Sequence, residues 1–230
     1  LNHPNEYLKA NVEGTLNLLE AMRKKEINKL IYASSSSVYG NSQQVPFREE
    51  NPLKDAISVY AATKQCCENL TRMYFNLYHI DTINLRFFTV YGPRQRPDLA
   101  IHKFFNAIMR GEEITVYGDG TMARDYTYVD DIVSGIMGAV ARIMARNNVY
   151  ETYNLGNSTP VNLNELVKTI EEITLLKAKI KYAEVPAGDV KVTYADIRRA
   201  TENLNYHPTT ALKVGIQKFY LWKKSEQNEI

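Results

Sequence analysis

The chain has 230 residues, 44% hydrophobic and 23% charged, which suits a folded protein of one or two domains and excludes a disordered chain. Its 28 basic and 26 acidic residues are mixed along the sequence for a net charge of +2, so no basic face argues for nucleic acid. The adjacent cysteines Cys66 and Cys67 rarely pair at that spacing and lack metal-ligand company, and the longest apolar tract, "DIVSGIMGAVARIMA", is shorter than a membrane span. No metal, no membrane association and no signal-peptide order are expected, and a reduced, cytoplasmic setting is the expected one.

In chain order, Leu8, Val12, Leu16, Leu19 and Met22 recur at helical spacing, which predicts one amphipathic helix through "NHPNEYLKANVEGTLNLLEAMRKK". "KLIYASS" reads as a short buried strand, and the serine run that follows sits at its C-terminal end, where open parallel sheets place their ligands. Past Pro46 and Pro52, Ser58 is the expected N-cap of a long helix through "YAATKQCCENLTRMYFNLYH". "DTINLRFFTVYGP" then alternates Ile83, Leu85 and Phe87 in a strand expected to stop at Gly92 and Pro93.

Helix, strand, helix, strand implies parallel strands with crossover helices, an α/β architecture. Beyond Pro93 the pattern changes. "AIHKFFNAIMRGE" reads as helix, "ITVYGDG" as strand, "VDDIVSGIMGAVARIMAR" as helix, and "NLNELVKTIEEIT" as a helix capped by Asn162 or Asn164. This second half is smaller and mixed, and no repeat or long flexible linker occurs.

Tyr60 and Lys64 stand four apart on the second long helix, so they share a face. An ammonium beside a phenol favours the phenolate and draws its pKa down from about 10 towards the range of a general base. A hydroxyl to share the substrate's proton would come from the serine run. With 16 tyrosines in the chain, a Tyr-x-x-x-Lys spacing by itself equally describes a packed tyrosine and a solvated lysine.

The order of the motifs is more specific. "NVEGTLNLLEA", "ASSSSVYG", "YAATK", "LRFFTVYGPRQRPDLA", "GDGTMARDYTYVDDIV", "YNLGN" and "AGDVKVTYADIRRA" together resemble the extended short-chain dehydrogenases/reductases, in the branch of nucleotide-sugar 4-epimerases. The resemblance implies a partial doubly wound, Rossmann-like parallel sheet with a smaller mixed α/β substrate domain. Residues 1–92 would be the C-terminal part of the NAD-binding domain and 93–230 mainly the substrate domain, with a strand returning to the sheet near 150–157.

The resemblance also implies roles. Tyr60 would be the base at the sugar O4, and Lys64 would bind the nicotinamide ribose. Ser35, four before Tyr39 of the "VYG" triplet, would be the third member of the triad. Asn11, Ala33, Ser34, Phe87 and Val90 would contact NAD. Relatives that dehydrate the sugar carry acidic residues just after the triad hydroxyl, where this chain has Ser36 and Ser37, so epimerisation is implied over dehydration.

Ser36 and Ser37 would lie against the sugar. Thr89 and Arg96 match positions that hold a uronate carboxylate, for which a guanidinium offers two parallel hydrogen bonds. Arg124 matches the pyrophosphate arginine, Tyr117 the uracil side and Asp189 a carboxylate near the ribose. The implied substrate is UDP-glucuronate, converted to UDP-galacturonate through a 4-keto sugar. UDP-glucose is the alternative, and a homodimer through the two long helices is implied.

Family members open on a Gly-x-x-Gly-x-x-Gly turn that cradles the dinucleotide pyrophosphate, and no such turn occurs in these 230 residues. Two or three βαβ units, roughly 80 residues, are therefore expected to be absent before Leu1. A truncated epimerase, a half supplied by another chain, or an inactive UDP-sugar-binding fragment would each account for this.

Overall fold

The computed structural model describes residues 3–185 and 190–228. The chain opens on α1 (Pro4–Tyr7), widens into a π-turn over Leu8–Glu13 and continues as α2 (Gly14–Lys24). β1 (Lys29–Ser35) ends in a 3₁₀ turn, Ser36–Tyr39, and α3 (Val59–Tyr78) starts where Ser58 Oγ accepts the Ala61 N–H at 3.1 Å. β2 (Asp81–Phe87) and β3 (Thr89–Tyr91) follow, then α4 (Ala100–Arg110), β4 (Glu113–Tyr117), β5 (Ala123–Tyr128) and α5 (Val129–Met144). β6 (Tyr150–Leu155), β7 (Pro160–Asn162), α6 (Leu163–Thr174), β8 (Lys179–Ala183), α7 (Arg198–Leu204) and α8 (Leu212–Asn228) complete the described chain.

β1, β2 and β6 form an all-parallel sheet in the order β1-β2-β6, with Ser35 opposite Phe87 and Phe87 opposite Leu155 at its C-terminal end. α2 and α3 cover one face around Leu19, Met22, Leu30, Tyr32, Cys67 and Tyr74. On the other face Ile83, Leu85, Tyr153 and Leu155 pack with Ile132, Ala139 and Ile143 of α5 and Ala200 and Leu204 of α7. A third core, in the second half, gathers Phe104, Phe105, Ile114, Tyr126, Leu166, Ile170 and Phe219.

Two elements depart from the local pattern. An even helical period would bury Leu8 and Leu16 with Leu19 and Met22, but Leu8 is 49% and Leu16 38% exposed. The π-turn spends an extra residue per turn, which rotates Tyr7 and Asn11, in place of Leu8, onto α3. The strand read through residues 81–91 also divides. Phe88 gives the last bond to the first sheet, its N–H donating to the Leu155 carbonyl at 3.0 Å, and β3 beyond it pairs instead with β5, in a sheet of order β3-β5-β7.

Asn162, not Asn164, caps α6, its Oδ1 accepting the Glu165 N–H at 2.8 Å. Among the described residues no helix is long and apolar enough to cross a membrane.

Candidate active site

The site forms at the C-terminal end of the parallel sheet, where α3 presents Tyr60 and Lys64 to the end of β1. The Lys64 ammonium donates to the Ala33 carbonyl at 2.9 Å and towards the Tyr32 hydroxyl at 3.4 Å, and lies 5.9 Å from the centre of the Tyr60 ring. Burial pushes the Lys64 pKa below the ordinary lysine value. Tyr7 meets the Tyr60 ring edge-on at 6.1 Å.

The π-turn holds this part of α3 from outside. Asn11 Nδ2 donates to Thr63 Oγ1 at 2.9 Å, and the Thr63 hydroxyl donates to the Tyr60 carbonyl at 2.8 Å. The Cys67 thiol donates to the Asn11 carbonyl at 3.3 Å. A wide turn of this kind re-aims carbonyls and side chains that a regular helix would keep to itself.

Ser35 closes β1 and caps the 3₁₀ turn, its Oγ accepting the Ser37 N–H at 3.2 Å while its hydroxyl donates to Ser37 Oγ at 3.2 Å. Strand alternation turns Ser34 the other way, under α3, where it donates to Glu68 Oε1 at 2.5 Å. Gly40 ends the turn at φ +57, and a Cβ there would meet the Asp55 carbonyl oxygen at 2.3 Å, so both backbone and space select glycine.

Ser36, Ser37, Ser58 and Thr89 line a cavity of about 210 Å³ together with Phe47, Arg124 and Thr193. Among the described residues no carboxylate lines it. A larger cavity of about 580 Å³ is walled by Tyr117, Met122, Tyr126, Phe104, Lys103 and Arg124. Arg124 borders both spaces, so a ligand reaching from one to the other passes its guanidinium.

The remaining expected residues are distributed around this frame. Phe87 and Val90 pack against the α5 side of the sheet, and the Val90 carbonyl accepts from Gln95 at 3.0 Å. Ala33 contributes its carbonyl to Lys64. Arg96 lines neither cavity. It forms two hydrogen bonds with Asp98, at 3.0 and 2.9 Å, with both side chains exposed. Asp189 lies outside the described residues.

Sequence reading missed three contributors. Lys103 stands on α4 between Ala100 and Ala107 at helical spacing, and all three face the larger cavity. Periodicity within "AIHKFFNA" carried that signal. Tyr32 and Glu68, one residue before Ala33 and one turn after Lys64, carried no local signal, because their partners are far away in the chain.

The sequence model of the NAD dependent epimerase/dehydratase family matches residues 1–156. An uncharacterised protein of Methanocaldococcus jannaschii is 44% identical over 222 residues, covering 96% of this chain and 67% of its own length. The UDP-glucuronate 4-epimerase of Thermodesulfobacterium geofontis is 40% identical over 225 residues, 97% of this chain and 68% of that protein. Among solved structures, UDP-glucuronic acid 4-epimerase from Bacillus cereus, in complex with UDP-glucuronic acid and NAD, superposes with a TM-score of 0.89 at 34% identity, over 95% of this chain and 68% of that one. The chain belongs to the NAD dependent epimerase/dehydratase family.

Proposed function

We propose that this chain carries the proton-transfer and substrate-binding machinery of an NAD-dependent nucleotide-sugar 4-epimerase, with UDP-glucuronate as substrate and UDP-galacturonate as product. The observation that carries this reading is the Lys64 ammonium, held on the Ala33 carbonyl of β1 and 5.9 Å from the Tyr60 ring, where β1 runs into a serine turn that lines a cavity sharing Arg124 with a larger one.

The residues present fit the nicotinamide–ribose end of NAD. Lys64 commits two of its three ammonium donors to Ala33 and Tyr32, which leaves one for a ribose hydroxyl. The chemistry NAD supplies when bound is reversible hydride acceptance. Tyr60 takes the proton of the sugar O4 hydroxyl and returns it, Lys64 stabilises the phenolate, and the Ser35 hydroxyl bonds the same oxygen. Inversion at C4 follows from a 4-keto sugar presenting its other face.

Arg124, shared by the two cavities, suits the pyrophosphate, leaving the larger cavity with Tyr117 for the base and the smaller one for the sugar. Among the described residues no carboxylate lines the smaller cavity, which supports epimerisation over dehydration, since expelling a C6 hydroxyl needs a titratable group there. We read residues 1–92, with β6 returning to their sheet, as the dinucleotide side and most of 93–230 as the substrate side. A homodimer through the outer faces of α2 and α3 belongs to the same reading. Leu18 and Leu77 stand out on those faces at 50% and 62% exposure. Two free cysteines, Cys66 and Cys67, fit a reducing cytoplasm.

A neutral UDP-sugar such as UDP-glucose is the second reading, favoured by the engagement of Arg96 with Asp98. Turnover of both sugars by the NAD-loaded protein, followed by proton NMR, separates the two. Arg96→Ala should reduce UDP-glucuronate turnover at least tenfold more than UDP-glucose turnover, the scale of one charge-assisted hydrogen-bond pair. Equal losses overturn the carboxylate role. UDP binding with no turnover by the loaded protein overturns the enzyme reading.

A further inference from the structure

We propose that Tyr32 is a positioning residue for Lys64, its hydroxyl oxygen fixing the direction of the ammonium that serves Tyr60. The inference rests on the catalytic pairing of Lys64 with Tyr60 given above. It concerns a residue on β1 that none of the motifs singles out.

Lys64 is half-buried, and among the described residues no carboxylate pairs with it. A desolvated ammonium without a counter-ion is costly unless neutral dipoles satisfy its N–H groups. Two oxygens do so, both from β1: the Ala33 carbonyl at 2.9 Å and the Tyr32 hydroxyl at 3.4 Å. Because neither acceptor carries a charge, neither neutralises the ammonium, and its field stays available to the phenol of Tyr60 one helical turn away.

The groups packed around Lys64 agree with this assignment. From α3 it meets the Tyr60 ring and the charge influence of Cys67, whose thiol is taken up by the Asn11 carbonyl of the π-turn, and from β1 the Tyr32 ring at 5.1 Å. Tyr32 is itself buried, and burial drives its pKa far above the ordinary phenol value. It therefore remains a neutral acceptor wherever Tyr60 acts as base. With two ammonium donors held by β1, the ammonium cannot swing away from its place 5.9 Å from the Tyr60 ring, and one donor stays free for a ribose hydroxyl.

Tyr32→Phe isolates the hydroxyl, since the ring keeps its place in the core and its face towards the ammonium. The first readout uses the chain without cofactor. With ¹³C-labelled lysine, and Lys64 assigned by its loss in Lys64→Met, the Lys64 titration midpoint should fall by roughly half a unit or more in Tyr32→Phe, because the charged form has lost an acceptor. The second readout is the pH–rate profile of the NAD-loaded protein. Its acid limb should move to higher pH, with kcat down about 3- to 30-fold at neutral pH and KM for the UDP-sugar within twofold.

An unchanged Lys64 midpoint overturns the proposal, whatever happens to turnover. A Lys64 midpoint that falls while Lys64→Met retains full turnover upholds the positioning of Lys64 by Tyr32 and overturns instead the catalytic reading on which it rests. A loss of kcat with an unmoved acid limb marks Tyr32 as merely structural and also overturns the proposal.

Discussion

Arg86 and Glu68 meet under α3 in two parallel hydrogen bonds, Nε to Oε1 at 3.0 Å and Nη2 to Oε2 at 2.8 Å, with both residues buried. The same carboxylate accepts from Ser34, the same guanidinium donates to Tyr39 Oη at 3.0 Å, and Tyr39 donates to Asn154 at 2.7 Å. One polar chain therefore ties α3, the end of β1, the turn after it, β2 and β6 into a fixed frame, one helical turn behind Lys64.

Breaking this pair strands a buried charge. Glu68→Ala should cost about 3–5 kcal/mol of unfolding free energy, read by urea denaturation. Glu68→Met with Arg86→Met removes both charges and should cost much less than the sum of the single changes. Additive losses would show that the two residues act independently.

The serine run gives a ranking. Ser35 ends β1 with its hydroxyl on Ser37, whereas Ser36 and Ser37 line the small cavity and Ser34 bonds Glu68. Ser35→Ala should lower kcat on the order of 100-fold, and Ser36→Ala or Ser37→Ala roughly tenfold or less. A larger loss at Ser37 would move the triad hydroxyl by two residues.

What the sequence disclosed and what it concealed divide along a physical line. The Ser58 cap and the apolar period of α3 are local, so the face shared by Tyr60 and Lys64 was legible from spacing. The π-turn was not, because it depends on Asn11 reaching Thr63, 52 positions away. The break at Phe88 was equally hidden, since two strands in line differ only in their partners, β2 with β1 and β6, and β3 with β5. Arg96 was read by motif as a carboxylate ligand, and its pairing with the exposed carboxylate of Asp98, two residues on, was not part of that reading. A motif specifies chemistry, and the surrounding contacts decide whether that chemistry is engaged.

Two glycines should answer oppositely to alanine. A Cβ on Gly138 of α5 would lie 2.2 Å from the Leu204 carbonyl oxygen of α7, a backbone atom that cannot step aside. Gly138→Ala should destabilise by about 1–3 kcal/mol or more, the clash outweighing the helix propensity gained. Gly14, at helical φ −59, has nothing nearer than 3.7 Å, and Gly14→Ala should stabilise by roughly 0.5–1 kcal/mol. Urea denaturation of both variants reads the pair, and a stable Gly138→Ala would mean that α5 and α7 separate readily.

Stability should also carry a pH signature from Glu151 on β6. Its carboxylate accepts from Arg142 Nη2 at 2.7 Å and from the Tyr153 hydroxyl at 2.8 Å. The Arg142 hydrogen bond, reinforced by that from Tyr153, holds its pKa below the ordinary value of 4.5 against the opposing effect of burial. A carboxylate depressed in the folded state binds its proton more readily when unfolded, so its stabilisation is complete above pH 4.5 and is lost as pH falls through the lower, folded value. Glu151→Gln removes the titrating group while keeping its size and one acceptor oxygen. The stability difference between wild type and Glu151→Gln should thus be largest at pH 7 and shrink steadily below pH 4.5, as read by urea denaturation at pH 7, 4.5 and 3. A difference that stays constant down to pH 3 would assign the contribution of Glu151 to packing against Arg142 and Tyr153 and not to its charge.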